Sequence, residues 1–395
     1  MFTFCMYNVY MQTERTPFRL VQALRYLAAV LVVITHACYY SAERYDDRTP
    51  QLAGMAGYGV WLFFAISGFV MVLVGDDLRR APASWHTFAR ARIARVVPLY
   101  WLMTTIKILA VVLAGSLVVN SALDPRTVVA SYAFLPSHDE AGAIHPLWGV
   151  GWTLMFEMAF YALMTLALAI RVDPLKLCAP VLIVAASASL FRPATGSPWW
   201  FYADHVTLYF LAGMIIARGW RARRPVLTVS LLGAVAVLTG VLASVRAGRL
   251  DIEAAAVALT ISAVLMAAVW LEARAGRLVP RWMMIGGASS YALYLVHPLL
   301  APAVPAAIAA AGASWVPWLV VVTITVGAML VMAPLAHRFV EQPMNRAARR
   351  LLLPDRGVRS ASAKHLAPSS TTAGNGTQPR RRQRPTSADP SPTRI

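Results

Sequence analysis

Residues 23–41 read ALRYLAAVLVVITHACYYS, an apolar run whose only basic side chains are Arg25 and His36. An α-helix rises about 1.5 Å per residue, so a run of this length crosses most of the roughly 30 Å hydrocarbon core of a bilayer. The run follows a charged stretch and ends without a small-residue cleavage site. It therefore predicts a retained transmembrane helix rather than a signal peptide.

Further apolar runs of similar length follow this one. Together with 23–41 they predict spans at 56–75, 97–118, 148–170, 175–191, 203–218, 225–243, 252–271, 287–309 and 316–337. The composition agrees, because only 14% of the 395 residues are charged, whereas a soluble domain has about 25% charged residues. The sequence thus predicts an all-α integral membrane protein, a bundle of about ten transmembrane helices. It shows no internal repeat, which disfavours a two-halved transporter.

The composition changes at both ends of the chain. Residues 1–17 form an N-terminal extension, and residues 354–395 are rich in Pro, Ser and Arg. A segment of that composition cannot bury enough apolar surface to fold, so we expect a disordered cytoplasmic tail. The three cysteines are too scattered for a disulfide framework or a zinc cluster, and we expect no metal site.

The distribution of charge predicts the orientation. The formal net charge is +18, but the arginines lie between the apolar runs and in the tail, so we expect no nucleic-acid partner. Loops on the side of the N-terminus carry fourteen Arg and Lys residues, and the opposite loops carry six. The positive-inside rule then predicts a multi-pass protein of the inner (plasma) membrane with both termini in the cytoplasm.

Three ionisable side chains fall deep inside the predicted spans. His36 lies eleven residues beyond Arg25, which is about 16 Å along a helix axis, and Glu157 and His297 fall at similar depth. Such groups are costly in a membrane and are functional candidates for that reason. An imidazole and a carboxylate at one level predict an acid–base pair of His36 and Glu157. The alternative is that these groups only join helices through buried hydrogen bonds.

Arginines cluster before the third predicted span, in the segment from Phe88 to Trp101. Arg92 and Arg95 are three residues apart and share one helical face, with Arg90 nearby. A fork of guanidinium groups suits phosphate recognition. The alternative interpretation is a topology signal, because cytoplasmic loops need positive charge.

Several motifs occur in a fixed order along the chain. They are QALRYLAAVLVVITH (22–36), GVWLFFAISGF (59–69), Arg92 and Arg95 followed by PLYW (98–101), GWTLMFEMAFY (151–161), and SYALYLVHP (290–298) with FVEQP (339–343). Together they resemble the membrane-bound acyltransferase-3 family, particularly its exopolysaccharide O-acetyltransferase branch. The resemblance covers about residues 18–346, which we take as the transmembrane domain.

This resemblance implies an O-acyltransferase that moves a short acyl group, in the simplest case acetyl, from cytoplasmic acyl-CoA to a hydroxyl of an exopolysaccharide or a lipid-linked glycan. Acyl-CoA is then the co-substrate. His36 is expected to act as the base or the acyl carrier, with Glu157 setting its tautomer and charge. Arg92 and Arg95 would hold the CoA phosphates, and Arg25 would line the path toward His36.

Two residues receive weaker expectations, and two other functions stay open. We expect a substrate-binding or structural role for His297, and helix packing for Ser67. One alternative is an acyltransferase that acts on a small metabolite such as a macrolide sugar. Another is a proton-coupled transporter or flippase, in which His36, Glu157 and His297 would relay protons.

Overall fold

The computed structural model describes residues 18–79, 84–114, 123–138, 142–193 and 196–353. The N-terminal extension 1–17 and the tail 354–395 lie outside the described residues. Within these ranges the chain is helical, and its only β-type pairing is one isolated bridge between His138 and Ile144. The prediction of an all-α membrane bundle is confirmed.

Fourteen α-helices are present in the described residues. In chain order they are α1 (Arg19–Arg44), α2 (Ala53–Leu78), α3 (Ser84–Ala114), α4 (Pro125–Tyr132), α5 (Trp152–Ala169), α6 (Pro174–Ala188), α7 (Thr207–Ala222), α8 (Pro225–Ala247), α9 (Ile252–Ala275), α10 (Arg281–Ala288), α11 (Ser290–Leu300), α12 (Ala303–Ala310), α13 (Trp318–Ala336) and α14 (Gln342–Leu352). Short 3-10 turns precede α5 at Gly149–Gly151 and α7 at Pro198–Tyr202, and a π-helical turn at His337–Glu341 joins α13 to α14.

Nine helical segments in the described part of the chain are long and apolar enough to cross a membrane. They correspond to nine of the ten predicted spans. The tenth, 203–218, is α7, which has 16 residues, whereas the nine segments have 18 to 35 residues. Thr207–Ala217 of α7 is buried throughout, so its neighbours are other helices rather than lipid, and its length need not match the bilayer.

The structure extends the third span toward its N-terminus. Residues 88–96, predicted as a loop, belong to the first turns of α3, which begins at Ser84. Arg92 and Arg95 therefore project from a rigid helix whose later turns lie in the membrane.

Helices α2 and α7 pack at backbone distance in the centre of the bundle. A Cβ atom on Gly68 would overlap the carbonyl oxygen of Phe210, and one on Gly213 would overlap that of Ala65. The aromatic ring of Phe210 stacks on that of Phe64, with centroids 4.5 Å apart. Close approach of small residues is the usual way in which membrane helices gain packing energy.

Ion pairs join the helices at one end of the bundle, which we call the arginine-rich end. Arg218 donates to Asp76 at 3.1 Å and to Asp173 at 2.6 Å, and Arg221 donates to Asp77 at 2.9 Å. Partial burial is the largest single influence on the Asp173 carboxyl and raises its pKa. The charge of Arg218 and the hydrogen bonds from Leu175, Arg218 and Arg79 together outweigh it, so the net pKa lies below its ordinary value. These arginines therefore join α7 to the end of α2 and to the residue before α6.

At the opposite end of the bundle, which we call the far end, other contacts join the segments that connect the helices. The hydroxyl of Tyr45, after α1, donates to the carbonyl of Ala313, before α13, at 2.9 Å. The guanidinium of Arg246 at the end of α8 lies 3.7 Å from the carboxylate of Asp204, before α7. Successive loops thus alternate between the two ends.

The glycine contact between α2 and α7 can be tested with Gly213→Ala. The added methyl group collides with the backbone of α2, so we expect a loss of about 1–3 kcal/mol in stability and a clear fall in the thermal midpoint in detergent. Gly233→Ala is the matched control, because Gly233 lies in α8 with no atom near the new Cβ; it should be neutral or slightly stabilising. Equal midpoints for the two variants would contradict this packing.

Candidate active site

A cavity of about 150 Å³ lies between α1, α2, α3, α5 and α11. Its lining includes four charged side chains, Arg25, Arg92, Arg95 and Glu157. It also includes six side chains with hydroxyl groups: Ser67, Thr153, Tyr161, Ser290, Tyr291 and Tyr294. We call it the arginine cavity. Three guanidinium groups and one carboxylate thus face a single space inside the helical bundle.

Glu157 is held by hydroxyl groups from two helices. Tyr161, one turn further along α5, donates a hydrogen bond to Oε1 of Glu157, and Ser67 of α2 donates to the same oxygen at 3.3 Å. The expectation that Ser67 only packs helices is therefore incomplete, because its hydroxyl lines the cavity and orients the carboxylate. Tyr161 could have been found from the spacing, since residues i and i+4 share a helix face.

The arginines enter the arginine cavity from two helices. Arg92 lies with its guanidinium carbon 5.9 Å from the ring centroid of Tyr161, and Arg95 lies 5.8 Å from that of Tyr291. Arg25 of α1 donates to the side chain of Gln22 at 3.3 Å. The shared face predicted for Arg92 and Arg95 is confirmed, whereas Arg90 is exposed and is not part of the lining.

Glu341 supports the arginine cavity from the π-helical turn, a role that the sequence does not predict. Its side chain is fully buried, with Oε1 3.8 Å from Nη1 of Arg95. The ring nitrogen Nδ1 of His337 donates to Oε2 at 2.7 Å. Glu341 lies four residues beyond the last predicted span, and its position in the FVEQP motif was the only signal. π-turns inserted in helices are often found at functional sites.

His36 and His297 form a separate pair. Their rings contact edge to face, with centroids 4.8 Å apart. Nδ1 of His36 lies 2.9 Å from the carbonyl of Val32, and Nδ1 of His297 lies 3.1 Å from that of Leu293. A carbonyl can only accept, so we assign the proton to Nδ1 in each ring, which leaves Nε2 of the neutral imidazole with a free lone pair.

The predicted site residues thus fall into two groups. Arg25, Arg92, Arg95 and Glu157 line one cavity, whereas neither histidine is part of its lining. The hydrogen bonds of the Glu157 carboxylate within the described residues come from Ser67 and Tyr161, so it makes no hydrogen bond to His36.

Tyr294 connects the two groups. It lines the arginine cavity, its ring centroid lies 5.9 Å from that of His297, and its hydroxyl lies 2.9 Å from that of Thr153. The catalytic roles of His36 and Glu157 therefore stay predictions, with Tyr294 placed between the histidine pair and the cavity.

The size of the arginine cavity limits what it can hold. A dry cavity of about 150 Å³ is large enough for one benzene molecule, so a short acyl thioester fits and a nucleotide does not. In the described part of the chain, no three His, Cys, Asp or Glu side chains are arranged to hold a metal ion.

The sequence model of the acyltransferase-3 family, described as an acyltransferase domain, matches residues 20–337. The chain belongs to the acyltransferase-3 family. All six residues predicted for the site lie inside the matched region, and Glu341 lies just beyond it.

The chain is also similar to a curated protein. It is 35% identical over 189 residues to the exopolysaccharide production protein ExoZ of Rhizobium meliloti (strain 1021). The aligned region covers 46% of this chain and 57% of that protein, so the chain spans little more than half the length of this relative. No solved structure gives a significant match.

Glu341→Ala should test whether the buried carboxylate stabilises this part of the fold. Removing it leaves Arg95 without its counter-charge and His337 without its hydrogen-bond acceptor, and breaking a buried pair costs about 3 kcal/mol. We expect a lower thermal midpoint in detergent. Arg48→Ala, which breaks an exposed pair with Asp46, is the control and should leave the midpoint close to that of the parent. The interpretation fails if Glu341→Ala is as stable as Arg48→Ala.

Proposed function

We propose that this protein is a membrane O-acyltransferase that transfers a short acyl group, in the simplest case acetyl, from acyl-CoA to a hydroxyl of an exopolysaccharide or a lipid-linked glycan. Membership of the acyltransferase-3 family and the similarity to an exopolysaccharide production protein support this function. The observation that carries it is the convergence of Arg25, Arg92 and Arg95 on one cavity that also holds Glu157.

The donor enters at the arginine-rich end. The planar guanidinium groups of Arg92 and Arg95 can each bind a phosphate group through two parallel hydrogen bonds. Because the arginine cavity is too small for a nucleotide, the phosphates of CoA stay at its mouth while the acyl thioester reaches inward past Arg25. The excess of arginine in the loops on this side supports a cytoplasmic location, where acyl-CoA is made.

The transfer exchanges one bond for another. The acceptor oxygen attacks the thioester carbonyl, so that a C–O bond forms while the C–S bond breaks. Nε2 of His36 takes the hydroxyl proton, which then passes to the CoA thiolate. Alternatively, Nε2 attacks the thioester carbonyl and CoA leaves as the thiolate; the hydroxyl then takes the acyl group from Nε2 and gives its proton to the thiolate. Glu157, without touching the ring, stabilises the positive charge that His36 gains.

Purified protein in lipid nanodiscs with radiolabelled acetyl-CoA tests the function. We expect label to move to de-O-acylated polysaccharide from the producing organism, in a form that mild alkali releases as expected for an ester. The absence of both CoA thiol release and labelled polysaccharide would contradict the function. Proton-coupled uptake into proteoliposomes without acyl transfer would support a transporter instead.

Arg92→Ala and Arg95→Ala should weaken acetyl-CoA binding. Losing one charge-assisted contact costs about 1.5–3 kcal/mol, or roughly 10- to 150-fold in affinity. Lysine keeps the charge but not the fork, so the lysine variants should recover only part of the affinity. Arg90→Ala removes the same charge from an exposed position and should bind like the parent, as measured by equilibrium dialysis. If all three alanine variants bind equally, these arginines only orient the protein.

His36→Gln and Glu157→Gln separate catalysis from scaffolding. Glutamine keeps a hydrogen-bonding side chain but cannot accept a proton near neutral pH, so each rate should fall by about 10²- to 10⁴-fold while expression is retained. The exposed His86→Gln is the matched control and should be fully active. The rate of the double variant should fall by less than the product of the two single-variant factors, because the effects of residues that act in the same step are not additive. Full activity in His36→Gln would exclude it as the base.

Cysteine labelling in intact cells tests the orientation. In a variant without the native cysteines, an impermeant thiol reagent should label Ser314→Cys, which is exposed before α13 at the far end. It should label Ala347→Cys, which is exposed on α14 at the arginine-rich end, only after permeabilisation. The reverse pattern would place the arginines outside the cell and exclude cytoplasmic acyl-CoA as the donor.

A further inference from the structure

A second cavity opens at the far end of the bundle, and we call it the far cavity. Its volume is about 430 Å³, in the range of about 300–1,000 Å³ that is typical of small-molecule sites. It is formed by the loop before α5, the first turns of α5 and the 3-10 turn before α7. It therefore lies at the opposite end of the protein from the arginines that are proposed to bind acyl-CoA.

The lining of the far cavity combines aromatic rings with a charged pair. Trp152, Phe156 and Trp200 contribute rings, and Arg192 and Asp204 contribute charge. Aromatic faces pack against the C–H face of a sugar ring, while a carboxylate and a guanidinium accept and donate hydrogen bonds to its hydroxyl groups. This combination suits a saccharide better than a lipid tail, which needs no polar partners, or a phosphate, which the carboxylate would repel.

Asp204 retains capacity for a ligand. Its Oδ1 accepts from the backbone N–H of Val206 at 3.0 Å. Its Oδ2 lies 3.9 Å from Arg192 and 3.7 Å from Arg246, distances that are too long for a hydrogen bond. In the described ranges Oδ2 thus has positive neighbours but no donor, and it can accept a hydrogen bond from a sugar hydroxyl.

Aromatic rings that contact one another separate the two cavities. On α5, Trp152 and Phe156 line the far cavity, whereas Thr153 and Glu157 line the arginine cavity; each pair is spaced i, i+4, so the helix shows one face to each side. Phe64 lines the arginine cavity, and its ring centroid lies 5.9 Å from that of Phe156 and 6.4 Å from that of Trp152. A ligand in the far cavity is therefore next to the site that holds Glu157.

The geometry points to the far cavity as the binding site of the saccharide acceptor, with Trp200 and Asp204 as the residues that recognise it. This assignment rests on the proposed acyltransferase function, since it names where the acceptor of that reaction binds. It predicts that these residues affect the acceptor and not acyl-CoA.

The test uses the full-length protein in nanodiscs and fluorescently labelled oligosaccharides released from the de-O-acylated polysaccharide of the producing organism. Binding is measured without acyl-CoA, and initial transfer rates are then measured against each substrate. We expect Trp200→Ala to weaken binding and to raise KM for the oligosaccharide by about 5- to 10-fold, with KM for acetyl-CoA unchanged. Asp204→Asn, which keeps the shape but loses the charge, should act in the same direction.

Two controls separate recognition from damage to the fold. Trp199→Ala removes the neighbouring ring, which is exposed and does not line the far cavity, and it should change neither constant. Trp200→Phe keeps an aromatic face and should recover most of the binding. A structural fault in Trp200→Ala would instead change both KM values.

The outcomes distinguish this site from the proposed function. If the parent transfers acetyl groups but Trp200→Ala and Asp204→Asn leave the KM of the oligosaccharide unchanged, the far cavity is not the acceptor site and the function stands. If the oligosaccharides bind and Trp200→Ala weakens that binding but no transfer occurs, the far cavity is supported as a saccharide site and the acyltransferase function is contradicted. Equal changes in both KM values would also overturn the site.

Discussion

A charged side chain inside the hydrocarbon core must find its counter-charge within the protein, and the arrangement of this bundle depends on that constraint. Glu341 lies 3.8 Å from Arg95, which joins the last helix to α3. At the arginine-rich end, where the helices leave the bilayer, Arg218 binds Asp76 and Asp173 together, which joins α7 to α2 and to the start of α6. The pairs of Glu341 and of Asp76 link helices that are far apart in sequence, so charges that would be costly in lipid become contacts that select one packing of the helices.

The same constraint explains why the arginine cavity is polar in an otherwise apolar interior. Ser67 and Tyr161 satisfy the carboxylate of Glu157, and the rings of Tyr161 and Tyr291 lie beside Arg92 and Arg95. A site built from these groups is already organised before any substrate arrives. Helix α5 lies between the arginine cavity and the far cavity. Its helical repeat places Glu157 in the lining of the arginine cavity, and Trp152 and Phe156 in the lining of the far cavity.

The sequence predicted those features of the site that depend on the geometry of a single helix. The three-residue spacing of Arg92 and Arg95 places both side chains on one face of any α-helix. Residues two apart, such as Arg90 and Arg92, lie on different faces, and Arg90 is accordingly exposed. The pairing of His36 with Glu157 depended on depth alone. Depth along two helix axes does not determine which faces of the helices meet, and the ring of His36 contacts His297 instead.

The sequence by itself determined that this chain is a helical membrane protein and which stretches form its helices, because both depend on the length of the hydrophobic runs. It also determined which arginines share a face, because the period of an α-helix is the same in every context. Tertiary structure decided the rest. It buried the short α7 among other helices, brought Glu341 from beyond the last span to Arg95, and placed Ser67 against Glu157. These contacts join residues tens to hundreds of positions apart, and only the packing of one helix against another determines them.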